Sequence, residues 1–369
     1  MRKILKRIGT ALLFLIVAIC LAPTLVPPFL DRIYYEGPRS DHFDGKRFFN
    51  PGPAPEAGSH SGPARFANRW LGADGRAAWP EHVPVRPTVP PPRVTGGDMF
   101  VTWIGHATVL VQTQGLNILT DPIWSDRASP FSFVGPRRVR APGVRFEQLP
   151  KIDLVLISHN HYDHMDLPTL ERLWRRDRPA IITSLGNDTI LRNRGVEAAA
   201  LDWGGRRRVG PAEVIVERNH HWGSRWGTDR NRALWSAFTV KLPGGNIFYA
   251  GDTGWGDGSW VAEAARTGPF RLAIIPIGAY EPRDFMKTNH VNPEEGVRIF
   301  EALKPARALG VHWGTFQLTF EPIGDPPARL AALKRQRGIA SAAFVATEAG
   351  RSFAVPAIGT DAAKPALAR

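Results

Sequence analysis

The sequence lacks several features that would assign it directly to a class of protein. Its 369 residues contain one cysteine, Cys20, so an intrachain disulfide is excluded, and the sequence neither requires nor rules out an oxidising compartment. It has no internal repeat of fixed period. It also lacks a recognition motif for nucleic acid. Two features are abundant instead: basic side chains, and a short segment dense in histidine and aspartate.

The formal net charge of +13 favours anionic partners, such as a phospholipid surface, a phosphate-bearing substrate or nucleic acid. A solvated arginine-rich surface would explain the same charge without a specific partner. Because no nucleic-acid motif accompanies the charge, a nucleic-acid partner is not expected. A homo-oligomer is compatible with the sequence.

The first 30 residues have the pattern of a membrane-targeting segment. An apolar run from Ile8 to Ala22, which continues past Pro23, follows four basic residues: Arg2, Lys3, Lys6 and Arg7. The length of this run lies between a signal-peptide core and a membrane span, and no small-x-small cleavage site follows it. The pattern predicts an uncleaved anchor at residues 1–30, with a cleaved signal peptide as the alternative. The positive-inside rule then places the body on the periplasmic side of a bacterial inner membrane, or free in the periplasm after cleavage.

The rest of the chain divides into an extended lead, a folded body and a tail. Residues 31–94 are rich in Pro, Gly and Ala and show little apolar periodicity, which predicts an extended lead that drapes over the body. Between residues 95 and 357, hairpin-type strands come first and strand–helix alternation follows, which indicates stacked sheets covered by helices. Residues 358–369 are predicted to form a flexible tail.

One apolar run is followed by a segment rich in metal-binding residue types. After "KIDLVLI" comes "SHNHYDHMD", in which His159, His161, Asp163 and His164 form an H-x-H-x-D-H pattern. Neutral imidazole and carboxylate are the ligands that borderline divalent metals such as zinc prefer. Four such residues in six positions are too many for one tetrahedral ion that keeps an open coordination site. The pattern therefore predicts two metal ions.

Further candidate ligands stand at the ends of three other apolar runs. They are His220 and His221 in "VIVERNHHWG", Asp252 in "IFYAGDTG" and His312 in "ALGVHWG". Loops held at one edge of a sheet commonly build a site, so these side chains are predicted to meet the first cluster. Asp252 is the best candidate for a bridging ligand, because one aspartate between two cations satisfies both charges. The alternative is that each is an isolated, hydrogen-bonded core residue.

These motifs resemble those of the metallo-β-lactamase superfamily, which shares the H-x-H-x-D-H loop and the downstream His, Asp and His ligands. More narrowly, the sequence resembles N-acylphosphatidylethanolamine-hydrolysing phospholipase D and its bacterial relatives. The matching stretches include "TWIGHATVLVQ", "LTDPIWSDRASPFSFVGPRR", "LISHNHYDH", "HHWGSR", "FYAGDTG", "IPIGAYEPRDFMKTNHVNPEE" and "VHWGTF". The resemblance implies an α/β fold, the metallo-β-lactamase αβ/βα four-layer sandwich, with two mixed β-sheets packed face to face and helices outside.

The resemblance also implies a ligand set for two Zn²⁺ ions, or for another divalent metal. His221 is preferred to His220 because the family's ligand directly precedes a tryptophan, as His221 precedes Trp222. Asp163 and Asp252 would also count as catalytic residues. The implied ligands form two sets bridged by Asp252: His159, His161 and His221 for one ion, and Asp163, His164 and His312 for the other.

Five further residues have two explanations each. Asp121 in "LTDP" either accepts a hydrogen bond from a ligand histidine or caps the turn that follows it. His106 in "GHAT" either supports the site or packs in the core. His290 matches a site-facing histidine of the family, which implies a substrate or proton-transfer role; the alternative is a contact at the start of the next helix. Trp222 and Arg225 either hold a lipid headgroup or belong to a charged, solvated face.

The resemblance thus implies a metal-dependent hydrolase. Its activity would be that of a dizinc phosphodiesterase that cleaves N-acylphosphatidylethanolamine into phosphatidic acid and N-acylethanolamine. Its partners would be the phospholipid substrate and a membrane surface. A lactonase or another phosphodiesterase of the same fold is one alternative. A non-catalytic envelope protein with structural metals is the other, although the implied ligand set leaves room for water.

Overall fold

The computed structural model describes residues 2–52 and 75–358. Parts of two predicted segments, residues 53–74 of the extended lead and 359–369 of the tail, lie outside the described residues. The strands of the described part are β1 (Met99–Gly105), β2 (Thr108–Thr113), β3 (Leu116–Thr120), β4 (Leu154–Ile157), β5 (Ala180–Ser184), β6 (Ala199–Leu201), β7 (Arg206–Val209), β8 (Ala212–Glu217), β9 (Ala237–Lys241), β10 (Asn246–Tyr249), β11 (Phe270–Pro276), β12 (Arg307–Val311), β13 (Phe344–Val345) and β14 (Ser352–Ala354). The α-helices are α1 (Arg2–Leu30), α2 (Leu167–Asp177), α3 (Asn187–Arg192), α4 (Ser259–Ala265), α5 (Arg283–Met286), α6 (Pro293–Leu303) and α7 (Asp325–Gln336), and a short 3₁₀ helix spans Phe146–Gln148.

The strands form two mixed sheets of seven strands each. The first sheet has the order β14-β1-β2-β3-β4-β5-β6, and the second has the order β13-β12-β11-β10-β9-β8-β7. In the first sheet β3 to β6 are parallel, and the remaining pairs are antiparallel. The second sheet follows the same plan, with β10 to β13 parallel and β7 to β10 antiparallel.

The sheets pack face to face because strands such as β4 are apolar on both sides. Leu154 and Leu156 belong to the core that includes side chains of both sheets, whereas the alternating Val155 and Ile157 pack with residues of α2 and α3. Strands buried on both faces read as continuous apolar runs, as "LVLI" does here. On the second sheet, α6 packs against β11, and α4 and α7 pack against α6. The predicted sandwich of two mixed sheets with outer helices is therefore confirmed.

The N-terminal segment is helical, but the prediction of a membrane anchor is wrong. Although α1 runs for 29 residues, no helix of the described part of the chain has the combination of length and apolar character that crossing a bilayer requires. The apolar run from Ile8 to Ala22 has only 15 residues. In a helix such a run extends about 22 Å, against a hydrocarbon core of about 30 Å. The inner-membrane and periplasmic placements, which depended on this segment, fail with it.

Residues 31–52, which we call the strap, run along the body without a helix or a strand. A single bridge pairs Phe43 with Phe48. Both rings are buried in a small cluster with Leu234 and Trp235, which lie at the end of the loop between β8 and β9. The strap is therefore attached to the loop that carries His221.

Candidate metal centre

The directions of the strands bring the candidate residues to one edge of each sheet. Asp121 follows β3, and the H-x-H-x-D-H loop follows β4, which is parallel to β3. In the second sheet Asp252 follows β10 and His312 follows β12, and both strands are parallel to β11. His221 follows β8, which runs in the same direction as β10 because β9 is antiparallel to both. Face-to-face packing of the sheets then places the two edges together.

One group consists of three histidines from two loops. Nε2 of His159 lies 2.8 Å from Nδ1 of His161, and Nε2 of His221 lies 3.4 Å from the same Nδ1 atom. The three ligand atoms lie within 4.8 Å of one another, so this group could hold one metal ion. The ring of His220 lies outside the group, beside Gly256.

A second group combines two carboxylates and two imidazoles: Asp163, His164, Asp252 and His312. Oδ2 of Asp252 lies 3.0 Å from Nε2 of both His164 and His312, and these two nitrogens are 3.2 Å apart. Oδ2 of Asp163 lies 3.2 Å from Nε2 of His164 and 3.4 Å from Nε2 of His312. Ligand atoms at about 2.0–2.1 Å from a tetrahedral ion are about 3.3–3.4 Å apart. The spacings therefore fit one divalent ion.

Asp121 orients His164 from outside the second group. Its Oδ2 accepts a hydrogen bond from Nδ1 of His164 at 2.6 Å, and its Oδ1 accepts one from the Ser158 N–H at 2.7 Å. The hydroxyls of Ser158 and Tyr249 also donate to this carboxylate. Because Nδ1 of His164 carries the donated proton, Nε2 is the atom that faces Asp252.

Hydrogen bonds orient two histidines of the first group in the same way. Nδ1 of His221 donates to the Asn289 carbonyl at 2.9 Å. Nδ1 of His159 lies 2.8 Å from Oγ of Ser158, whose own proton goes to Asp121. In both rings Nε2 is left to face the group, which is the arrangement that a metal-binding histidine needs.

His106, in the turn between β1 and β2, contacts the second group directly. Its Nε2 lies 2.8 Å from Oδ2 of Asp163, and its ring centroid lies 4.1 Å from that of His312. The carbonyl of His106 accepts from the His312 N–H at 3.1 Å, which ties the two loops together. His106 is therefore both buried and in contact with candidate ligands.

Three of these residues have a left-handed backbone although none is glycine. The φ angles are 55° at His106, 30° at Asp121 and 64° at His312. Such positions cost about 1–3 kcal/mol and cluster at functional sites. Glycine is needed at Gly251, where φ is 61° and a Cβ would lie 2.7 Å from Cβ of Ser158. This close approach places Asp252 beside the loop that follows β4.

Burial determines the protonation of the three-histidine group. It lowers the pKa of His161 to about 3. It also holds the pKa values of His159 and His221 well below the ordinary value for histidine. All three rings are therefore neutral at neutral pH, which is the form that binds a metal.

The two buried carboxylates of the second group require a positive charge nearby. Burial opposes ionisation of Asp163 and Asp252, but the surrounding histidines, His164 first among them, together outweigh burial and hold both pKa values well below their usual range. Burial likewise opposes the charge on His312, but Asp252 and Asp163 raise its pKa to about 9. The same carboxylates raise the pKa of His164 well above its ordinary value. Without a metal, the protons on His164 and His312 supply the charge that the two carboxylates require. A divalent cation among these four side chains would displace those protons and supply the charge instead.

Buried polar atoms without partners also fit a metal centre. Among the described residues, no hydrogen bond reaches Nε2 of His161, Oδ1 of Asp252 or Nδ1 of His290. A buried polar atom left unpaired typically costs about 1–3 kcal/mol. The donor set of neutral imidazoles and carboxylates is that of zinc and similar ions, so the residues present fit the group.

The structure places the remaining predicted residues at different distances from these groups. Nδ1 of His290 lies 3.9 Å from Oδ2 of Asp252. The Trp222 ring meets that of His161 edge to face, with centroids 4.2 Å apart. The guanidinium of Arg225 lies 3.7 Å from the centroid of the Tyr162 ring and donates to backbone carbonyls of the H-x-H-x-D-H loop rather than to a candidate ligand side chain.

Two residues of this network were not predicted from the sequence: Ser158 and Tyr249. Ser158 directly precedes the histidine cluster, and that position is a usable signal. Tyr249 stands in the apolar run "NIFYAG", where its hydroxyl gives no sign of the partner 128 residues away.

Known proteins resemble this chain over most of its length. The profile of the Beta-lactamase superfamily domain matches residues 116–313. The chain is 36% identical over 283 residues to N-acyl-phosphatidylethanolamine-hydrolyzing phospholipase D 1 of Caenorhabditis elegans, covering 71% of this chain and 79% of that protein. It is 34% identical to the mitochondrial N-acyl-phosphatidylethanolamine-hydrolyzing phospholipase D of Saccharomyces cerevisiae, covering 65% and 53% of the two chains.

Among solved structures, isothiocyanate hydrolase from Delia radicum gut bacteria superimposes with a TM-score of 0.55 at 19% identity, covering 70% of this chain and all of that one. This likeness shows the fold alone. The family match confirms the prediction of a metal-dependent hydrolase and leaves the alternative of a non-catalytic envelope protein without support. Profile, relatives and fold agree that the chain belongs to the metallo-β-lactamase superfamily.

Proposed function

We propose that this protein is a dizinc phosphodiesterase of the phospholipase D type, which hydrolyses N-acylphosphatidylethanolamine to phosphatidic acid and N-acylethanolamine. The observation that carries the proposal is the pair of adjacent ligand groups, one of three histidines and one of two histidines and two aspartates. Two-metal sites of this kind support in-line displacement at phosphorus. The names of the worm and yeast relatives support the choice of substrate.

In this proposal one ion is held by His159, His161 and His221, and the other by Asp163, His164 and His312. Asp252 would serve both, because its Oδ2 faces the second group while its Oδ1 has no hydrogen-bond partner within the described residues. Asp163 and Asp252 would act as ligands rather than as free bases. When bound, two zinc ions or other divalent metals supply Lewis-acid chemistry at phosphoryl oxygens and acidify water.

His290 is the proposed proton-transfer residue. Its ring centroid lies 5.2 Å from that of His221 and 5.4 Å from that of His312, so it faces both ligand groups. Its main chain is fixed, since its carbonyl accepts from Arg283 at 2.7 Å. Burial lowers the pKa of His290 to about 3, so its ring is neutral at neutral pH. A neutral histidine in this position can accept a proton from the attacking water and pass it to the departing alkoxide of the N-acylethanolamine.

An exposed apolar loop supports a phospholipid surface as the partner. The loop lies between β3 and β4, downstream of Asp121, and exposes 49% of Phe131, 79% of Phe133 and 50% of Val134. The guanidinium of Arg127 donates to the carbonyls of Ser132 and Gly135 and so holds the loop in shape. Apolar side chains presented beside a cation suit the boundary between acyl chains and headgroups.

A cavity of about 560 Å³ adjoins this loop and the metal-binding loop. Tyr162 and Met165 line it from the metal-binding loop, and Phe131 and Trp226 contribute apolar walls. Its cationic lining comes from four arginines: Arg32, Arg127, Arg194 and Arg225. Asp126 and Asp166 also line the cavity, so the four arginines leave its lining with an excess of positive charge. A cavity with apolar walls and an excess of cations fits an acyl chain attached to a phosphate.

The test is the release of phosphatidic acid and N-acylethanolamine from N-acylphosphatidylethanolamine in mixed micelles by the full-length, zinc-loaded protein. His161→Ala is the variant of the proposed site, and His220→Ala is the matched control, since His220 lies outside both groups. Turnover should disappear in the first variant and persist in the second.

A protein that binds two metal ions but releases neither product would contradict the proposed substrate. Parallel assays with a lactone and with a water-soluble phosphodiester would then identify which of the two alternative reactions the protein catalyses. Turnover that survives His161→Ala would contradict the proposed site.

A further inference from the structure

We infer that the strap positions the candidate metal centre, because Asn50 and Tyr34 fix the β8–β9 loop that carries His221 and Arg225. The inference rests on the proposed metal site, but it does not depend on the proposed substrate. No residue of the ligand groups belongs to the strap. The strap therefore acts through hydrogen bonds to residues that carry or support the candidate ligands.

The β8–β9 loop, residues 218–236, needs such support because it contains no helix or strand. A regular element fixes a ligand through its backbone ladder, whereas an irregular loop is fixed only by the contacts of its individual groups. Ligand atoms must be held to within about 0.5 Å of the productive geometry. Contacts to the backbone near His221 therefore bear directly on metal binding.

Asn50 connects the two ends of this loop. Its Nδ2 donates to the carbonyl of His221 at 2.8 Å, and its Oδ1 accepts from Nε1 of Trp235 at 3.1 Å. Trp235 is fully buried. One amide side chain thus links the backbone of a candidate ligand to a tryptophan of the core.

Tyr34 begins a second path, which ends at the H-x-H-x-D-H loop. Its hydroxyl donates to Oδ2 of Asp229 at 2.8 Å, and Oδ1 of Asp229 accepts from the Arg225 N–H at 3.0 Å. The guanidinium of Arg225 then donates to the carbonyls of Asn160 at 3.1 Å and Met165 at 2.9 Å. Asn160 and Met165 flank the segment that carries three of the candidate ligands.

The strap is anchored well enough to hold the loop. Asp31 pairs with Arg232 at 2.7 Å and with Arg47 at 2.9 Å. The Phe48 N–H donates to the carbonyl of Asn231 at 2.8 Å, and its ring is buried. These contacts attach the strap on both sides of Tyr34 and just before Asn50.

The experiment measures Co²⁺ binding by the full-length protein and by two variants, Asn50→Ala and Tyr34→Phe. The matched control is His42→Gln, on the same strap but away from the loop: Nε2 of His42 lies 2.8 Å from Asp202, and its ring stacks on Trp203. The readouts are Co²⁺ affinity by chelator competition, the visible absorption spectrum of bound Co²⁺ and Tm. We expect Asn50→Ala and Tyr34→Phe to bind Co²⁺ about tenfold or more weakly, with an altered spectrum. His42→Gln should leave the Co²⁺ affinity and spectrum unchanged and should at most lower Tm.

Wild-type affinity and spectrum in both site-directed variants, with only Tm reduced, would show that the strap is merely structural and would overturn the inference. Equal weakening of Co²⁺ binding by His42→Gln would overturn it as well, because any loss of stability would then have the same effect. Tyr34→Phe keeps the ring in place, so its result stands if Asn50→Ala folds poorly. A wild-type protein that binds no Co²⁺ would contradict the proposed metal site, whereas one that binds it without hydrolysing the phospholipid would contradict the substrate alone.

Discussion

Oδ2 of Asp121 lies 2.6 Å from Nδ1 of His164, and both side chains are fully buried. The same carboxylate accepts hydrogen bonds from the hydroxyls of Ser158 and Tyr249, which come from the two different sheets. A carboxylate in this position fixes the tautomer of the imidazole and raises the basicity of its opposite nitrogen. The orientation of His164 is thus decided by a residue 43 positions earlier in the chain.

Replacing Asp121 by asparagine should weaken metal binding by about 10–100-fold, because the amide cannot stabilise the His164 N–H as a carboxylate does. The affinity for Zn²⁺ can be measured by competition between the protein and a chelator of known affinity. Asp153→Asn is a suitable control, because Asp153 lies at the other end of β4 and pairs with Arg93. Unchanged affinity in Asp121→Asn would show that the hydrogen bond is structural only.

His290→Gln should reduce kcat by about 10²–10⁴-fold while the protein still binds two ions, because a proton-transfer residue is lost and no ligand is removed. Single-turnover assays and metal analysis of the same preparation separate these effects. His220→Gln, at a partly buried histidine outside both groups, should leave kcat unchanged. Loss of a metal ion from His290→Gln would instead identify His290 as a ligand.

Phe133→Ser should weaken binding to anionic phospholipid vesicles by about tenfold or more, since burying a phenylalanine side chain is worth about 1.5–3 kcal/mol and 1.4 kcal/mol is tenfold. Vesicle sedimentation measures the binding. Turnover of a water-soluble phosphodiester should not change. Phe100→Ser is the control, because Phe100 is 38% exposed but lies at the start of β1, away from the site edge. Equal binding of both variants would exclude this loop as the lipid contact.

The stability of the strap should depend on pH through His42. Burial opposes its protonation, but hydrogen bonds to Asp202 and Asp41 outweigh burial and raise the pKa of His42 above its ordinary value of 6.5. Because the folded pKa is raised, the stabilisation is fully present below pH 6.5 and is lost as the pH rises through the raised value.

Comparison of unfolding free energies for the wild type and His42→Gln between pH 5.5 and 8.5 tests this prediction. The difference should be about 0.2–1 kcal/mol at the acidic end and should shrink as the pH rises. Groups common to both proteins cancel in the difference. A difference that grows with pH would mean that the ion pairs do not stabilise the fold.

Much of the fold and part of the site could be predicted because their signals are local. Continuous apolar runs such as "LVLI" indicate strands buried on both faces, and the H-x-H-x-D-H spacing predicts a candidate metal-binding loop without further context. The N-terminal prediction failed because the apolar run from Ile8 to Ala22, whose length lies between that of a signal-peptide core and that of a membrane span, is too short to cross a bilayer.

The sequence shows which residue types stand at the ends of the strands, and these residue types indicate the superfamily and the chemistry of the site. Which of these residues meet depends on how the strands and loops pack in three dimensions. In the folded chain Asp121 accepts a hydrogen bond from His164, and Arg225 donates to the backbone of the H-x-H-x-D-H loop. The carbonyl of His221 likewise accepts a hydrogen bond from the strap, from a residue 171 positions earlier in the chain. The physical reason is that a hydrogen bond depends on the positions of two groups in space, and local patterns specify only one of them.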